Sequence, residues 1–362
     1  MALKIVRGKT LPIGVDLGSS SVKLAQLRLA DGEVELLGAG IAELGGHNGQ
    51  GRDARLNDMC KGIKDALKTG SFKGNHAILA VPAEDTVVQH VRIPKLPPQE
   101  IGPAVEAELE GKMPFDVSQA VVRHVVSGEL LGEEDPRMEV IAVAISRDQL
   151  ESYLAMSRRA KLDVVGVNVE AFAVVDCFAR LFRRASDASR SILFIDVGSL
   201  TTQLVLTHGN RVVFARNLAQ GGSDLDKAVA EKLSVGVEEA RRERQRVADE
   251  QSEDDRAREI LEAIEPPIDA LGAEMNTCLR YYESTFKGQA VERAIFIGGQ
   301  ASDTRLCRAL AKRLNLPAQV GDPLVHIRRT NACVLGGEAD RRGPQPRWAV
   351  AVGLSLGADR AA

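Results

Sequence analysis

Residues 13–27 read IGVDLGSSSVKLAQL, and residues 193–207 read LFIDVGSLTTQLVLT. Each stretch is an apolar run, an Asp, a single apolar residue, a Gly, a hydroxyl-rich turn and a second apolar run. Asp16 and Asp196 lie 180 positions apart, about half of the 362 residues. A short apolar run bounded by turn residues predicts a buried strand. After each copy comes a hairpin signal, Asp31-Gly32 in the first and Gly209-Asn210 in the second. EVELLGAG (33–40) and RVVFARNL (211–218) then return as strands. One supersecondary unit is therefore repeated, and such a repeat decides the architecture.

Between the copies, Thr86–Ile93 reads as a strand, PKLPP as a stiff turn and residues 99–112 as a helix. VVRHVV (121–126) and MEVIAVAI (138–145) read as strands, and Ser146 with Gln149 as a capping box opening another helix. The order strand, helix, strand, strand, helix predicts a small α+β module. Residues 224–287 are helical in pattern, with Pro266-Pro267 starting a fresh helix. Its stripe of Ile268, Leu271, Met275, Cys278, Leu279 and Tyr282 is spaced for a core face. ERAIFIGG returns to strand, RLCRALAKRLN to helix, and WAVAVGLSLG is a short apolar helix that packs back into the body.

Composition excludes several classes. Lys plus Arg number 47 against 50 Asp plus Glu, a formal charge of −3, which rules out a generally basic nucleic-acid coat. Aromatics at 4% make base-stacking platforms a poor fit. The five cysteines are scattered without metal or redox spacing, which fits a reducing compartment. MALKIVRGKTLP lacks the apolar core of a signal peptide, and no 18-residue apolar run is present to enter a membrane.

The Asp-x-Gly turns carry specific chemistry. Gly lets the chain turn sharply, so successive backbone N–H groups face an anion, and Ser19, Ser20, Ser21, Thr201 and Thr202 add hydroxyl donors. A carboxylate at each strand end holds Mg²⁺ through water, because that ion keeps much of its hydration shell. Two facing turns would clamp a polyphosphate. AIFIGGQASDTRL (294–306) adds a third glycine turn, where backbone approaches a flat ligand closely; Gly221-Gly222 offers the same. Neither GxxxxGK[ST] nor a GxGxxG after a strand occurs. The six histidines show no ligand pairing, and His90 and His124 read as sheet residues.

These motifs resemble the actin-like ATPases. IGVDLGSSSVKLAQL looks like the first phosphate motif, LFIDVGSLTTQLVL the second and AIFIGGQASD the adenosine motif. GSSSVK, the inserted module and the closing AVGLSLG most resemble the PilM family of type IV pilus assembly, over about residues 10 to 357. The resemblance implies an α/β, duplicated actin-like (ribonuclease H-like) fold. Its first half would span 10–83 and 161–190, and its second 191–223 and 288–362. The inserted α+β module would occupy 84–160, and a helical insertion on the nucleotide side 224–287. It implies ATP and Mg²⁺ as cofactors, with Asp16 and Asp196 near the metal and Glu170 near the attacking water. Gly18, Ser19, Ser20, Lys23, Gly198, Thr201 and Thr202 would line the phosphates. Gly221, Gly222, Gly298, Gly299 and Gln300 would approach ribose and adenine, with Glu238, Arg241 and Arg242 on the adenine side.

The segment IPKLPPQEIGPAVEAELEGKMPFDVSQAVVRHVV resembles the family's partner-binding hallmark, which places Glu108, Pro114 and Phe115 in a groove. The implied partner is the cytoplasmic N-terminal tail of PilN, an inner-membrane protein, bound from the cytoplasmic side. Self-association stays open, and neither nucleic-acid binding nor membrane insertion is expected. ATP turnover would be slow or gating, because no strong general base is apparent. The alternatives are a sugar or acid kinase of the same superfamily, a type II secretion relative, or a division-type membrane tether. The tether needs a basic amphipathic C-terminal helix, which GADRAA does not supply.

Overall fold

The computed structural model describes residues 8–45, 51–130, 136–181, 190–250, 254–286, 290–329 and 343–358. Cys333 and residues 359–362 of the GADRAA ending lie outside them. The chain opens with β1 (Lys9–Thr10), β2 (Ile13–Leu17), β3 (Ser21–Ala30), β4 (Glu33–Glu43), α1 (Arg52–Thr69) and β5 (His76–Val81). Next come β6 (Val87–Pro94), α2 (Pro98–Leu109), β7 (Ala120–Leu130), β8 (Arg137–Ser146) and α3 (Arg147–Arg159), then β9 (Asp163–Val169) and α4 (Glu170–Phe178). The second copy follows as β10 (Ser191–Val197), β11 (Thr202–His208) and β12 (Arg211–Leu218). The remainder is α5 (Gly222–Leu233), α6 (Val237–Glu250), α7 (Asp255–Thr285), β13 (Arg293–Ile297), α8 (Thr304–Leu314), β14 (Ala318–Val320), β15 (Ile327–Arg329) and α9 (Ala349–Gly357).

The duplication is visible in the sheets. One runs β15-β4-β3-β2-β5-β9, with β1 also on β3; another runs β12-β11-β10-β13-β14. In both, the Asp-bearing strand pairs antiparallel with the next strand and parallel with a strand reached through helices. The module forms its own antiparallel sheet, β6-β8-β7, under α2. Strand β15, late in the chain, lies parallel to β4 in the first sheet, a pairing no local pattern announces.

Two helices fill the space between the halves. Ala171, Ala173 and Val174 of α4 and Val350, Val352 and Leu354 of α9 share one buried cluster with Ala25 and Leu27 of β3 and Phe194 and Val205 of the second sheet. Eight of the nine α9 residues are buried, so the apolar tail packs inward as its composition requires. Ser355 Oγ donates to the Pro12 carbonyl at 2.8 Å and accepts from the Leu27 amide at 3.2 Å.

Two local expectations need correcting. Pro266 and Pro267 do not start a helix; they lie inside α7. An interior Pro costs about 3 kcal/mol. The stripe Ala257, Ile260, Ile264, Ile268, Leu271 and Met275 is buried on both sides of the pair, and its continuous packing outweighs the lost amides. Ser146 does precede α3, yet its side chain caps nothing, and Gln149 Nε2 donates instead to Asp85 Oδ1 at 3.2 Å. A nearby carboxylate on another element drew the amide away from the cap.

Candidate functional site

Strand pairing sets the floor of a cleft between the halves. Asp16 is the penultimate residue of β2 and lies opposite Lys23 of β3. Asp196 holds the equivalent place in β10, opposite Gln203 of β11. Lys23 Nζ donates to Asp16 Oδ2 at 2.9 Å, and both side chains are largely buried. Glu170 opens α4 at the same place. Gln203 Nε2 donates to Asn217 Oδ1 at 2.8 Å, so the second turn has no cation where the first has Lys23.

The resulting balance is short of positive charge. Burial, then the charge of Asp16, pushes Asp196 up to about 7, with Lys23 opposing. Burial, then Asp16, Asp196 and Glu84, raises Glu170 well above the usual carboxylate range. Burial alone would lower Lys23, but the charge and hydrogen bond of Asp16, with Asp196 beyond, hold its ammonium raised. Such a floor favours an arriving cation. Among the described residues, no three His, Cys, Asp or Glu side chains are close enough to hold a metal alone. Asp16 and Asp196 offer carboxylate oxygens, the donor type a hydrated Mg²⁺ takes.

Gly298 brings the third turn directly over Asp196. Its φ is +90°, and a Cβ there would stand 2.2 Å from Asp196 Oδ1. Only Gly allows that approach. Above the floor the cleft opens to about 530 Å³. Gly18, Ser19, Ser20, Lys23, Gly198 and Thr201 line it from the two turns, with Asp16, Asp196 and Glu170 below. Gly298, Gly299 and Gln300 line the opposite side, and Glu238, Arg241 and Arg242 of α6 complete that wall.

Three expected residues stand behind the wall. Thr202 is fully buried and spends its hydroxyl on the Gln220 carbonyl at 2.8 Å. Gly221 and Gly222 fasten the start of α5 to the second turn: Gly222 N donates to Gly198 O at 3.0 Å. A Cβ at Gly222 would meet the Gln300 side chain at 2.4 Å, so its missing side chain makes room for Gln300, not for a ligand. Sequence reasoning missed Glu84, Arg244 and Arg347, which also line the cleft. Arg244 is legible in hindsight, one turn along α6 from Arg241; Arg347 carries no motif and arrives only through the placement of α9.

The module residues lie elsewhere. Glu108 is exposed at the end of α2, paired with Lys112 at 2.9 Å. Pro114 is exposed and Phe115 half-buried, beside Met113 and Val117, which pack on the module core. None of the three lines the cleft.

The module is tied to the second half by a buried cluster the sequence did not announce. Glu139 of β8 has no exposed side-chain surface. It receives His90 Nδ1 at 3.2 Å, Arg92 Nε at 3.0 Å and the Tyr281 hydroxyl of α7 at 2.6 Å. Burial would raise its carboxyl, but the hydrogen bonds from His90 and Tyr281, with His90's charge and Arg92, carry it below the usual value. The His90 ring stacks on Phe214 of β12, centroids 4.8 Å apart.

The paired halves and the cleft make an actin-like fold. A solved structure titled PilM-PilN type IV pilus biogenesis complex superposes with a TM-score of 0.78, at 21% identity over 96% of this chain and 98% of that one. The ethanolamine utilization protein EutJ from Carboxydothermus hydrogenoformans superposes at 0.55, with 14% identity over 96% and 89%. Among the described residues no helix is long and apolar enough to cross a membrane. The family model for type IV pilus assembly protein PilM matches residues 14–358, and the chain belongs to that family.

Proposed function

We propose that this chain is a nucleotide-binding scaffold of type IV pilus assembly, in which ATP with Mg²⁺ joins the two halves while the module docks a partner. The observation that carries the reading is the pair of duplicated turns facing one cleft whose floor sets three acidic side chains against one lysine. Asp16 and Asp196 would hold the hydrated ion, whose role when bound is to neutralise phosphate charge. Gly18, Ser19, Ser20, Lys23, Gly198 and Thr201 bind and orient the phosphates. Gly298, Gly299, Gln300, Glu238, Arg241 and Arg242 surround the nucleoside.

Turnover is slow in this reading. The resemblance assigns Glu170 to the side of the attacking water, and burial, then the charges of Asp16 and Asp196, favours its protonated form, which accepts no proton. The partner is the cytoplasmic tail of a PilN-like inner-membrane protein, which holds the chain at the inner face of that membrane. Glu108, Pro114 and Phe115 contribute to its groove. Strand β9, which packs on α3, has no strand on its outer side among the described residues, and Val165 is 53% and Val167 41% exposed there. An extended tail gains backbone hydrogen bonds and apolar contact there.

Calorimetric titration with Mg·ATP tests the nucleotide part, and a chain that gives no binding heat overturns it. Affinity capture from solubilised inner membranes tests the docking part. Retention of a single-pass protein through its cytoplasmic tail is expected, and a yield equal to an unrelated control overturns it.

A further inference from the structure

Arg244 differs from the other cleft arginines in being buried. It is 3% exposed, and Asp226 of α5 is 4% exposed. Arg244 Nε donates to Asp226 Oδ1 at 2.7 Å, and Nη2 donates to Gln300 Oε1 at 2.8 Å. A guanidinium has donors only, so the Gln300 atom that meets it is the carbonyl oxygen. This fixes which end of the carboxamide is which. The group also lies against the backbone of Gly222, where a Cβ would stand 2.4 Å from its carbon. Charge pair and glycine together leave it one orientation. Its Nε2 makes no hydrogen bond within the described protein, and Gln300 lines the cleft. A held amide with unused donors on a ligand cleft is preorganised for an acceptor.

We infer that Arg244, braced by Asp226, is a positioning residue that holds the Gln300 carboxamide so that its N–H groups donate to an acceptor on the base or ribose of a bound nucleotide. This rests on the nucleotide reading above. It adds a polarity to that side of the site: Gln300 recognises acceptors, such as ring nitrogens or sugar oxygens, and rejects a donor at that point. Removing Arg244 acts on the ligand through Gln300, not by direct contact.

Three variants test it by Mg·ATP calorimetry alongside thermal unfolding. Gln300→Glu keeps the bond to Arg244, strengthened by charge, but loses the N–H donors. Gln300→Met loses the donors without adding charge. The expected result is an affinity loss of about tenfold in both, with the unfolding midpoint of Gln300→Glu at or above wild type. Loss in Gln300→Glu alone would mean charge repulsion, and loss in Gln300→Met alone would mean the clamp and not the donor matters; either overturns the inference, as does wild-type affinity in both. Arg244→Lys keeps the charge opposite Asp226 but not the fork, and is expected to lose about tenfold as well. Wild-type affinity there removes Arg244 from the account. An unmodified chain that does not bind Mg·ATP overturns the nucleotide reading and this inference together.

Discussion

Two buried clusters of charge in this chain are balanced in opposite ways. In the cleft, Asp16, Asp196 and Glu170 share one lysine, and burial together with the charge of Asp16 pushes Asp196 up to about 7. At the module junction, Glu139 alone receives a histidine, an arginine and a tyrosine, and its carboxyl falls below its usual value. Both are buried and both join separate parts of the chain. A satisfied cluster holds parts together, while one with surplus acid gains from an added cation.

The largest expected effect comes from breaking the satisfied cluster. Glu139→Ala leaves Arg92, His90 and Tyr281 without their common acceptor and should cost about 3–5 kcal/mol of stability in chemical denaturation. Mg·ATP affinity, measured where the variant is folded, should stay within twofold of wild type. A lowered carboxyl adds stability that is present above its unfolded value of about 4.3 and disappears as pH falls. The Glu139→Ala deficit should therefore shrink in acid. A deficit that stays constant from pH 7 to pH 3 would break the contrast.

Next is Asp16→Ala in the cleft. It removes a metal-side oxygen and the partner of Lys23, and should weaken Mg·ATP binding about 10–100-fold, or about 1.5–3 kcal/mol. Unchanged calorimetric affinity would remove the first turn from the site. A smaller effect has the opposite sign to the first. Asp196→Asn relieves the cost of a buried charge and should stabilise the ligand-free chain at pH 8 while weakening Mg·ATP binding. Burial and Asp16 push the wild-type carboxyl up to about 7 from about 3.9 in the unfolded chain, so folding takes up a proton between those values. Its contribution to stability falls as pH climbs through that window. The advantage of Asp196→Asn is thus absent near pH 4 and full above 7, and an advantage independent of pH would contradict it. The smallest effect should come from Gln203→Lys, which copies the first turn's lysine into the second. Part of the missing charge would be supplied, and the Mg²⁺ dependence of ATP binding should fall about threefold.

The cleft floor was legible because each part is local. Asp16 and Gly18, Asp196 and Gly198, and Gly298 with Gly299 sit in turns whose chemistry is written within a few residues. The hairpins at Asp31-Gly32 and Gly209-Asn210 were readable for the same reason, and Asp31, Gly32 and Gly209 adopt positive φ. What escaped depends on distant partners. Gln149 as a capping residue and Pro266-Pro267 as a helix start were sound local readings overruled by Asp85 and by the α7 core. Glu139, His90 and Tyr281 come from three elements, and each looks ordinary in its own window. Thr202, Gly221 and Gly222 look like ligand groups in sequence because spacing shows a turn but not which of its faces meets the cleft.

The placement of α9 has a consequence for synthesis. Ser355 binds the carbonyl of Pro12, 343 residues earlier, and its helix fills the underside of the first sheet. A ribosome delivers β2 and β3 long before it delivers the segment that closes over them. Until residues 349–357 emerge, the apolar face of that sheet lacks one of its two covering helices. Native docking of α9 therefore follows translation of the 343 residues that separate Pro12 from Ser355. A chain that stopped before residue 349 would lack this helix over the first sheet.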